Sequence, residues 1–167
     1  MSNPRTEALV YQFRQQSRLW YAATEDMDGE AWTGSPAANN NPAAFHAVHI
    51  LEARHYATKF IGLEIDNPVP AALRRIKDVA AVEVWPSPEE LNARWETIDA
   101  PYLAALETLD DEILDTEMKT QIPMEIECHR DMLGFLAHHE AYHLGQWAAA
   151  RRVFDRKPVM HILAGLD

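Results

Sequence analysis

The sequence predicts an all-α protein, a four-helix bundle with a long crossover between its second and third helices. Apolar residues recur at helical spacing along four long segments, capping residues stand at the starts of three of them, and no segment alternates as a strand does. Apolar types make up 47% of the 167 residues, which is enough for a packed core. We therefore expect one domain that spans residues 1–167.

The first two helices are predicted from the same start signal, an asparagine that can cap a helix followed by a proline suited to its first turn. The first helix is expected to begin near residues 3–4 and to end near Gly29. The polar stretch "TGSPAANNN" then predicts a loop. The second helix is expected to begin at residues 41–42 and to end near Gly62, with apolar side chains along one face.

The crossover is predicted between about residues 63 and 86, with three prolines and a short helix in its middle stretch "AALRRIKDVA". The third helix begins with a capping box in "SPEE", residues 87–90, and is expected to end near Asp110 or a few residues later. A loop with a short extended piece is expected in "TEMKTQIPMEIE". The fourth helix is expected over about residues 127–154.

Charge and composition exclude several kinds of partner. A net charge of −11 argues against nucleic acid, whose binding requires a basic face. No stretch has the roughly 18 or more apolar residues of a membrane span, and the N-terminal residues include no apolar run of the signal-peptide type. The single cysteine, Cys128, cannot form an intramolecular disulfide. We therefore expect a cytoplasmic protein that binds neither membranes nor nucleic acid.

The stretch "LAHHEAYHLGQW" places His139 and His143 one helical turn apart, about 40° from each other around the axis. Two imidazoles at this spacing on an apolar face can hold one metal ion. A third ligand must come from the second helix. His49 is preferred because it lies in the apolar stripe of that helix, and His46 is the alternate ligand. His138 lies on another side of the fourth helix and is predicted not to be a ligand.

Residues 139–143 also read H-E-x-x-H, the signature of zinc peptidases. The continuation H-x-x-G-x-x-H found in one class of these enzymes is absent, and no glutamate follows Glu140 that could serve as a third ligand. Strands that could hold an extended peptide are not evident either. A zinc peptidase is therefore kept as the weaker alternative.

The string "HHEAYHLGQWAAARR", together with "HAVHILEARHY" near the start of the second helix, resembles the DinB/YfiT-like family of metal-binding four-helix bundles. The resemblance covers nearly the whole chain. It implies a metal site made of His49, His139 and His143, a divalent ion such as zinc, nickel or iron, and a homodimer. Characterised relatives include thiol-dependent transferases and isomerases that use bacillithiol, mycothiol or glutathione. The resemblance thus implies an enzyme of thiol S-transferase type, or of a related small-molecule transfer or hydrolysis, with a low-molecular-weight thiol as co-substrate.

Three neutral imidazoles leave at least one metal position open, where the ion lowers the pKa of a bound water or removes the proton of a bound thiol. Glu140 and Gln146 are the candidate catalytic residues, Glu140 as a base and Gln146 as a group that orients a ligand or substrate. Glu52 is a candidate to accept an imidazole N–H, and Tyr142 is a further candidate near the metal. Three arginines are candidates to hold an anionic thiol: Arg54, Arg151 and Arg152.

A non-catalytic function is the main alternative. A metal ion held between the second and fourth helices could simply stabilise the fold of a stress-related or interaction protein. An open metal position that faces a pocket would favour an enzyme, whereas a fourth protein ligand would favour a structural site. The sequence leaves this choice open.

Overall fold

The computed structural model describes residues 3–166, and the regular elements in this range are helical apart from one isolated antiparallel bridge between Glu117 and Cys128. The α-helices in this range are α1 (Glu7–Thr24), α2 (Gly29–Thr33), α3 (Ala43–Thr58), α4 (Pro88–Glu107), α5 (Asp111–Leu114), α6 (His129–Val153) and α7 (Val159–Ala164). The predicted all-α class is thus confirmed. No helix in the described range is both long and apolar enough to cross a membrane.

The four predicted long helices correspond to α1, α3, α4 and α6, but the first was predicted too long. Its predicted end near Gly29 is wrong, because α1 ends at Thr24. The backbone leaves the helical path at Glu25, whose ψ is 134°, and Asp26 and Gly29 follow with positive φ angles of 54° and 46°. Gly29 instead begins the short helix α2, whose Trp32 is buried in the core. Helix α1 begins at Glu7, about one turn later than predicted.

The ends of α3 and α4 follow the local signals in the sequence. A 3-10 turn, Lys59–Ile61, extends α3, and Gly62 closes it in the left-handed conformation at a φ of 68°. At the start of α4, the Ser87 hydroxyl accepts from the backbone N–H of Glu90, and the Glu90 carboxylate accepts from the backbone N–H of Ser87. The predicted capping box is therefore present.

The connection between α3 and α4, for which a crossover was predicted and which is called the crossover below, contains two 3-10 turns, Ala71–Leu73 and Val79–Ala81, in place of the short α-helix expected there. Val69 and Leu73 are buried in the same apolar cluster as side chains of α1, α3 and α4. The crossover therefore packs against the helices and can form part of the wall of a cavity. Helices α5 and α7 were not predicted, since four and six residues are too few for a clear helical period.

The four long helices pack so that α1 and α3 each contact both α4 and α6. Two clusters of buried apolar side chains fill the space among them. In one cluster, Trp20 of α1 stacks on Trp95 of α4 with ring centroids 4.2 Å apart and meets Trp147 of α6 edge to face. The side chains of Trp20 and Trp95 are both fully buried, so they contribute to the packing of the core.

An ionic cluster centred on Arg54 is buried among the same helices. Arg54 of α3 donates from Nε and Nη2 to the two carboxylate oxygens of Glu140 on α6, at 2.9 and 2.7 Å. Its Nη1 donates to Asp99 on α4, and the same oxygen of Asp99 accepts from the hydroxyl of Ser17 on α1 at 2.7 Å. One guanidinium thus links side chains from all four long helices.

The charge of Arg54 is maintained in this buried position. Burial alone would lower the pKa of Arg54, but the Glu140 and Asp99 carboxylates raise it above its ordinary value. The guanidinium carbon also lies 4.5–5.1 Å from three ring centroids, those of Phe13, Trp95 and Tyr102. Removal of one carboxylate would leave a buried cation without its main partner, and such a loss is strongly destabilising.

We expect the substitution Glu140→Gln to lower the free energy of unfolding by about 3–5 kcal/mol, because it leaves the buried Arg54 charge with Asp99 alone. Urea denaturation followed by circular dichroism measures the change. Glu107→Gln is the matched control, since Glu107 pairs with Arg14 at the surface and should change the free energy by about 1 kcal/mol or less. If the two substitutions lowered the free energy of unfolding equally, the buried pair would stabilise the fold no more than the surface pair does.

Candidate functional site

Three histidine side chains from two helices meet where α3 packs against α6. His49 lies in α3, and His139 and His143 lie one turn apart in α6. Nε2 of His49 is 3.2 Å from Nε2 of His139, and one nitrogen from each of the three rings lies within 4.8 Å of the others. The structure thus brings together the three histidines that the sequence singled out, in an arrangement that could hold a metal ion.

The donor set and its spacing fit a divalent ion. Two nitrogens bound at about 2.0–2.1 Å to a tetrahedral zinc ion are about 3.3 Å apart, close to the separation of the His49 and His139 nitrogens. Imidazole nitrogen is also a good donor to nickel and iron. Three protein ligands leave at least one position for another molecule.

The surroundings keep the three rings neutral at pH 7. Burial lowers the pKa of His49. Burial, followed by the neighbouring histidines, lowers the pKa of His139 to about 4 and that of His143 to about 3. A neutral imidazole has the free lone pair that a metal ligand donates, so no proton has to be displaced from these rings at pH 7.

His46, the alternate ligand, lies behind His143. It is 3% exposed, and its Nδ1 is 3.2 Å from Nδ1 of His143. One of the two rings must carry its proton on Nδ1 for this contact to be a hydrogen bond. When His143 is the donor, His46 accepts from it and orients its ring, and the unprotonated Nε2 of His143 is left for a ligand. By contrast, Nδ1 of His139 is buried without a hydrogen-bond partner among the described residues, so packing orients that ring.

The structure does not support the catalytic role predicted for Glu140. Its side chain is completely buried, and both carboxylate oxygens accept from Arg54. Glu140 follows His139 in α6 and so lies about 100° further round the helix, on the side that faces the core. A base must reach the molecule from which it takes a proton, and Glu140 is held away from the three histidines by its partner.

The other polar candidates lie at the edge of the site. Among the described residues Glu52 has no hydrogen bond to an imidazole; its carboxylate accepts from the backbone N–H of Arg75 at 3.0 and 3.2 Å. Tyr142 and Gln146 are exposed, and Gln146 donates from Nε2 to the Tyr142 hydroxyl at 3.3 Å. The rings of Tyr142 and His143 are 5.1 Å apart, so these two polar residues form a rim on the His143 side.

Two of the three arginines proposed to hold an anionic thiol are committed elsewhere. Arg54 is buried in the ion pair with Glu140. Arg151 is completely buried as well, and it donates to backbone carbonyls near the end of α1 and to Asp26. Arg152 is exposed near the end of α6 and donates to a backbone carbonyl beyond that helix. The structure therefore gives no anion-binding role to Arg54 or Arg151.

A cavity of about 460 Å³ opens beside His49 and His139. Its walls come from α3, from the crossover, which contributes Arg75, and from α6, which contributes Phe135. The crossover residues of this wall were not predicted, because helical periodicity does not show where a connection packs. The available signal was the pair Arg74-Arg75 in a chain of strong negative charge.

These features define an all-helical protein with a three-histidine site that could hold a metal ion beside a cavity. The model of the DinB superfamily matches residues 12–147, a range that contains His46 and all three histidines of the cluster. The chain belongs to the DinB superfamily. Searches among curated proteins and among solved structures gave no match.

Proposed function

We propose that His49, His139 and His143 bind one divalent metal ion and that the protein is a metal-dependent enzyme acting on a small molecule. The observation that carries this proposal is the 3.2 Å separation between Nε2 atoms of His49 and His139, which belong to different helices. The proposal includes a four-helix bundle made of α1, α3, α4 and α6, with residues 63–86 as its crossover, within one domain.

Access to the site favours an enzyme over a purely structural metal site. His49 and His139 form part of the wall of the 460 Å³ cavity, a size typical of small-molecule pockets. Within residues 3–166, the cluster of potential ligands consists of the three histidines, without a fourth His, Cys, Asp or Glu. A site with three protein ligands and a cavity beside it is the arrangement found in catalytic metal centres.

A divalent ion at this site would supply Lewis acidity, which lowers the pKa of a water or thiol at its open position. The residues of the chain supply the rest of the site. His46 holds one nitrogen of His143, and Arg54 with Glu140 holds α3 against α6. We propose zinc or nickel as the ion, and thiol S-transfer or a related transfer or hydrolysis as the reaction, on the basis of membership in the DinB superfamily.

The position of Glu140 argues against the peptidase alternative. In an H-E-x-x-H peptidase the glutamate acts as the base beside the metal. Here both of its oxygens accept from Arg54 in the core. A structural metal site remains the competing function, since ligands from α3 and α6 would join two helices, and the experiments below separate the two.

We expect purified protein without an affinity tag to contain about one zinc or nickel ion per chain, and His49→Ala and His139→Ala to lose it, because each removes one of three ligands. Elemental analysis measures the ion. His138→Ala is the matched control, since His138 is the exposed neighbour of His139 and should leave the metal content unchanged. A wild-type chain that takes up no ion after incubation with zinc or nickel would rule out the site, and the close nitrogens would then be explained by an N–H···N hydrogen bond.

An enzyme and a structural metal site differ in the response of the metal to added thiol. In cobalt-substituted protein we expect glutathione to change the visible absorption spectrum, because a thiol can enter the open position and lose its proton there. His138→Ala should respond as the wild type does. A spectrum that stays the same at saturating thiol, in protein that holds one cobalt ion, would favour the structural function.

We expect His46→Ala to weaken zinc binding by about 10- to 100-fold, because the ring of His143 loses the partner that orients it. Competition with a chromophoric chelator measures the affinity. His46→Asn should lose less, since its side-chain amide can replace the hydrogen bond to Nδ1. Identical losses in the two variants would indicate that packing, and not the hydrogen bond, is what His46 contributes.

A further inference from the structure

The cavity beside His49 and His139 differs in charge from the rest of the chain. The whole sequence has 26 acidic residues against 15 lysines and arginines. The cavity wall has the opposite balance, with three cationic residues, Lys59, Arg74 and Arg75, and a single carboxylate, that of Glu52. An excess of positive charge at the cavity wall of a strongly acidic protein needs a physical reason, and the binding of an anion provides one.

Two of the three cations have no carboxylate partner among the described residues, although the ammonium of Lys59 lies 5.3 Å from the ring centroid of Tyr56. Lys59 and Arg75 are exposed, and neither forms an ion pair with a carboxylate of the described residues. Arg74 instead donates to the backbone carbonyls of Val69 and Asn67 and so fixes the crossover. Lys59 and Arg75 reach the cavity from different elements, the turn after α3 and the crossover.

The carboxylate of Glu52 is engaged in holding the backbone of Arg75. Arg75 has a φ of 55°, a left-handed conformation that L-residues other than Gly, Asn and Asp rarely adopt. Both Glu52 oxygens lie within 3.2 Å of the Arg75 amide nitrogen and accept its hydrogen. Strained backbone conformations that are held in place by neighbouring groups cluster at functional sites. Glu52 follows His49 by about one turn of α3, so this contact keeps the backbone of Arg75 at the cavity wall that His49 also lines.

The rest of the wall is largely apolar. Side chains from three parts of the chain contribute to it, namely Tyr56, Ile122, Phe135 and Leu136. A smaller cavity of about 220 Å³ shares His49, Glu52 and Arg75 with the first and has Val48, Leu73 and Ile76 in its wall. The space next to the histidines therefore combines an apolar surface with two unpaired cations.

We propose that this cavity binds a small organic anion, with its charged group at Lys59 and Arg75, its apolar body against Phe135 and Ile122, and its reactive end at His49 and His139. The inference rests on the proposed function, which it extends by the class of substrate. A ligand of this class gains charge-assisted hydrogen bonds at one end and burial of apolar surface along its body. A neutral analogue of the same molecule loses the charge-assisted hydrogen bonds but still buries its apolar surface.

The test compares two probes of equal shape, 3-phenylpropionate and 3-phenylpropionamide, by isothermal titration calorimetry. We expect the carboxylate to bind about 10- to 100-fold more tightly than the amide, because hydrogen bonds to charged groups are the stronger ones. Lys59→Met and Arg75→Asn should each weaken binding of the carboxylate and leave that of the amide unchanged. Asn is chosen at position 75 because it tolerates the left-handed backbone. Arg18→Met, which removes an exposed cation of α1 outside the cavity wall, is the control and should change neither.

Each outcome decides the proposal. Equal binding of acid and amide, no saturable binding of the acid at millimolar concentration, or a dissociation constant unaffected by both variants would overturn it. The titrations are run on zinc-loaded and on chelator-treated protein, and metal content is measured for each variant. Binding that depends on Lys59 in a protein that takes up no zinc would support the anion site and refute the metal site. Normal zinc uptake without selective binding of the acid would refute the anion site alone.

Discussion

The buried ion pair between Arg54 and Glu140 is the contact on which the geometry of the candidate site depends. Charges withdrawn from water are tolerated only when their hydrogen bonds are satisfied, and here a two-point contact with Glu140 and a further bond to Asp99 meet this condition. A slip of one residue along α6 would move Glu140 by about 1.5 Å along the axis and turn it by about 100°, which would break the pair. His49 precedes Arg54 by five residues in α3, and His139 directly precedes Glu140 in α6. The register that satisfies the ion pair is therefore also the register that sets the two imidazole nitrogens 3.2 Å apart.

Two consecutive residues of α6 therefore lie on different sides of the helix and contact different surroundings. His139 faces the cavity, while Glu140 faces the core and is completely buried. The pattern H-E-x-x-H specifies that two histidines share a face, which the structure shows, but it does not specify the partner of the glutamate. That partner is Arg54, which is 86 residues away in the sequence. The same five letters can therefore provide a catalytic base in one fold and a core ion pair in another.

Local signals predicted most of the helices, and contacts between distant residues account for what they missed. The capping box at Ser87 and the left-handed Gly62 are short-range features, so the ends of α3 and α4 could be predicted from a few residues each. The early end of α1 is set at Glu25, which is extended, and Asp26 follows at positive φ; no glycine or proline marks either position. The three histidines could be predicted because two of them share one helical turn and the third lies in an apolar stripe. The position of Arg75 at the cavity could not, because it depends on how a long crossover packs and on its contact with Glu52.

The charge near the candidate site is positive, whereas the net charge of the whole chain is negative. Burial favours the neutral forms of His49, His139 and His143, so an ion held by them would keep its full charge of about +2. Lys59 and Arg75 add positive charge beside it, next to a wall of low polarity that strengthens their field. The acidic surface acts mainly over long distances, and salt screens such effects beyond about 8–10 Å. A small anion inside the cavity would therefore interact chiefly with the nearby cations. The net charge of −11 is therefore compatible with the proposed anion-binding cavity.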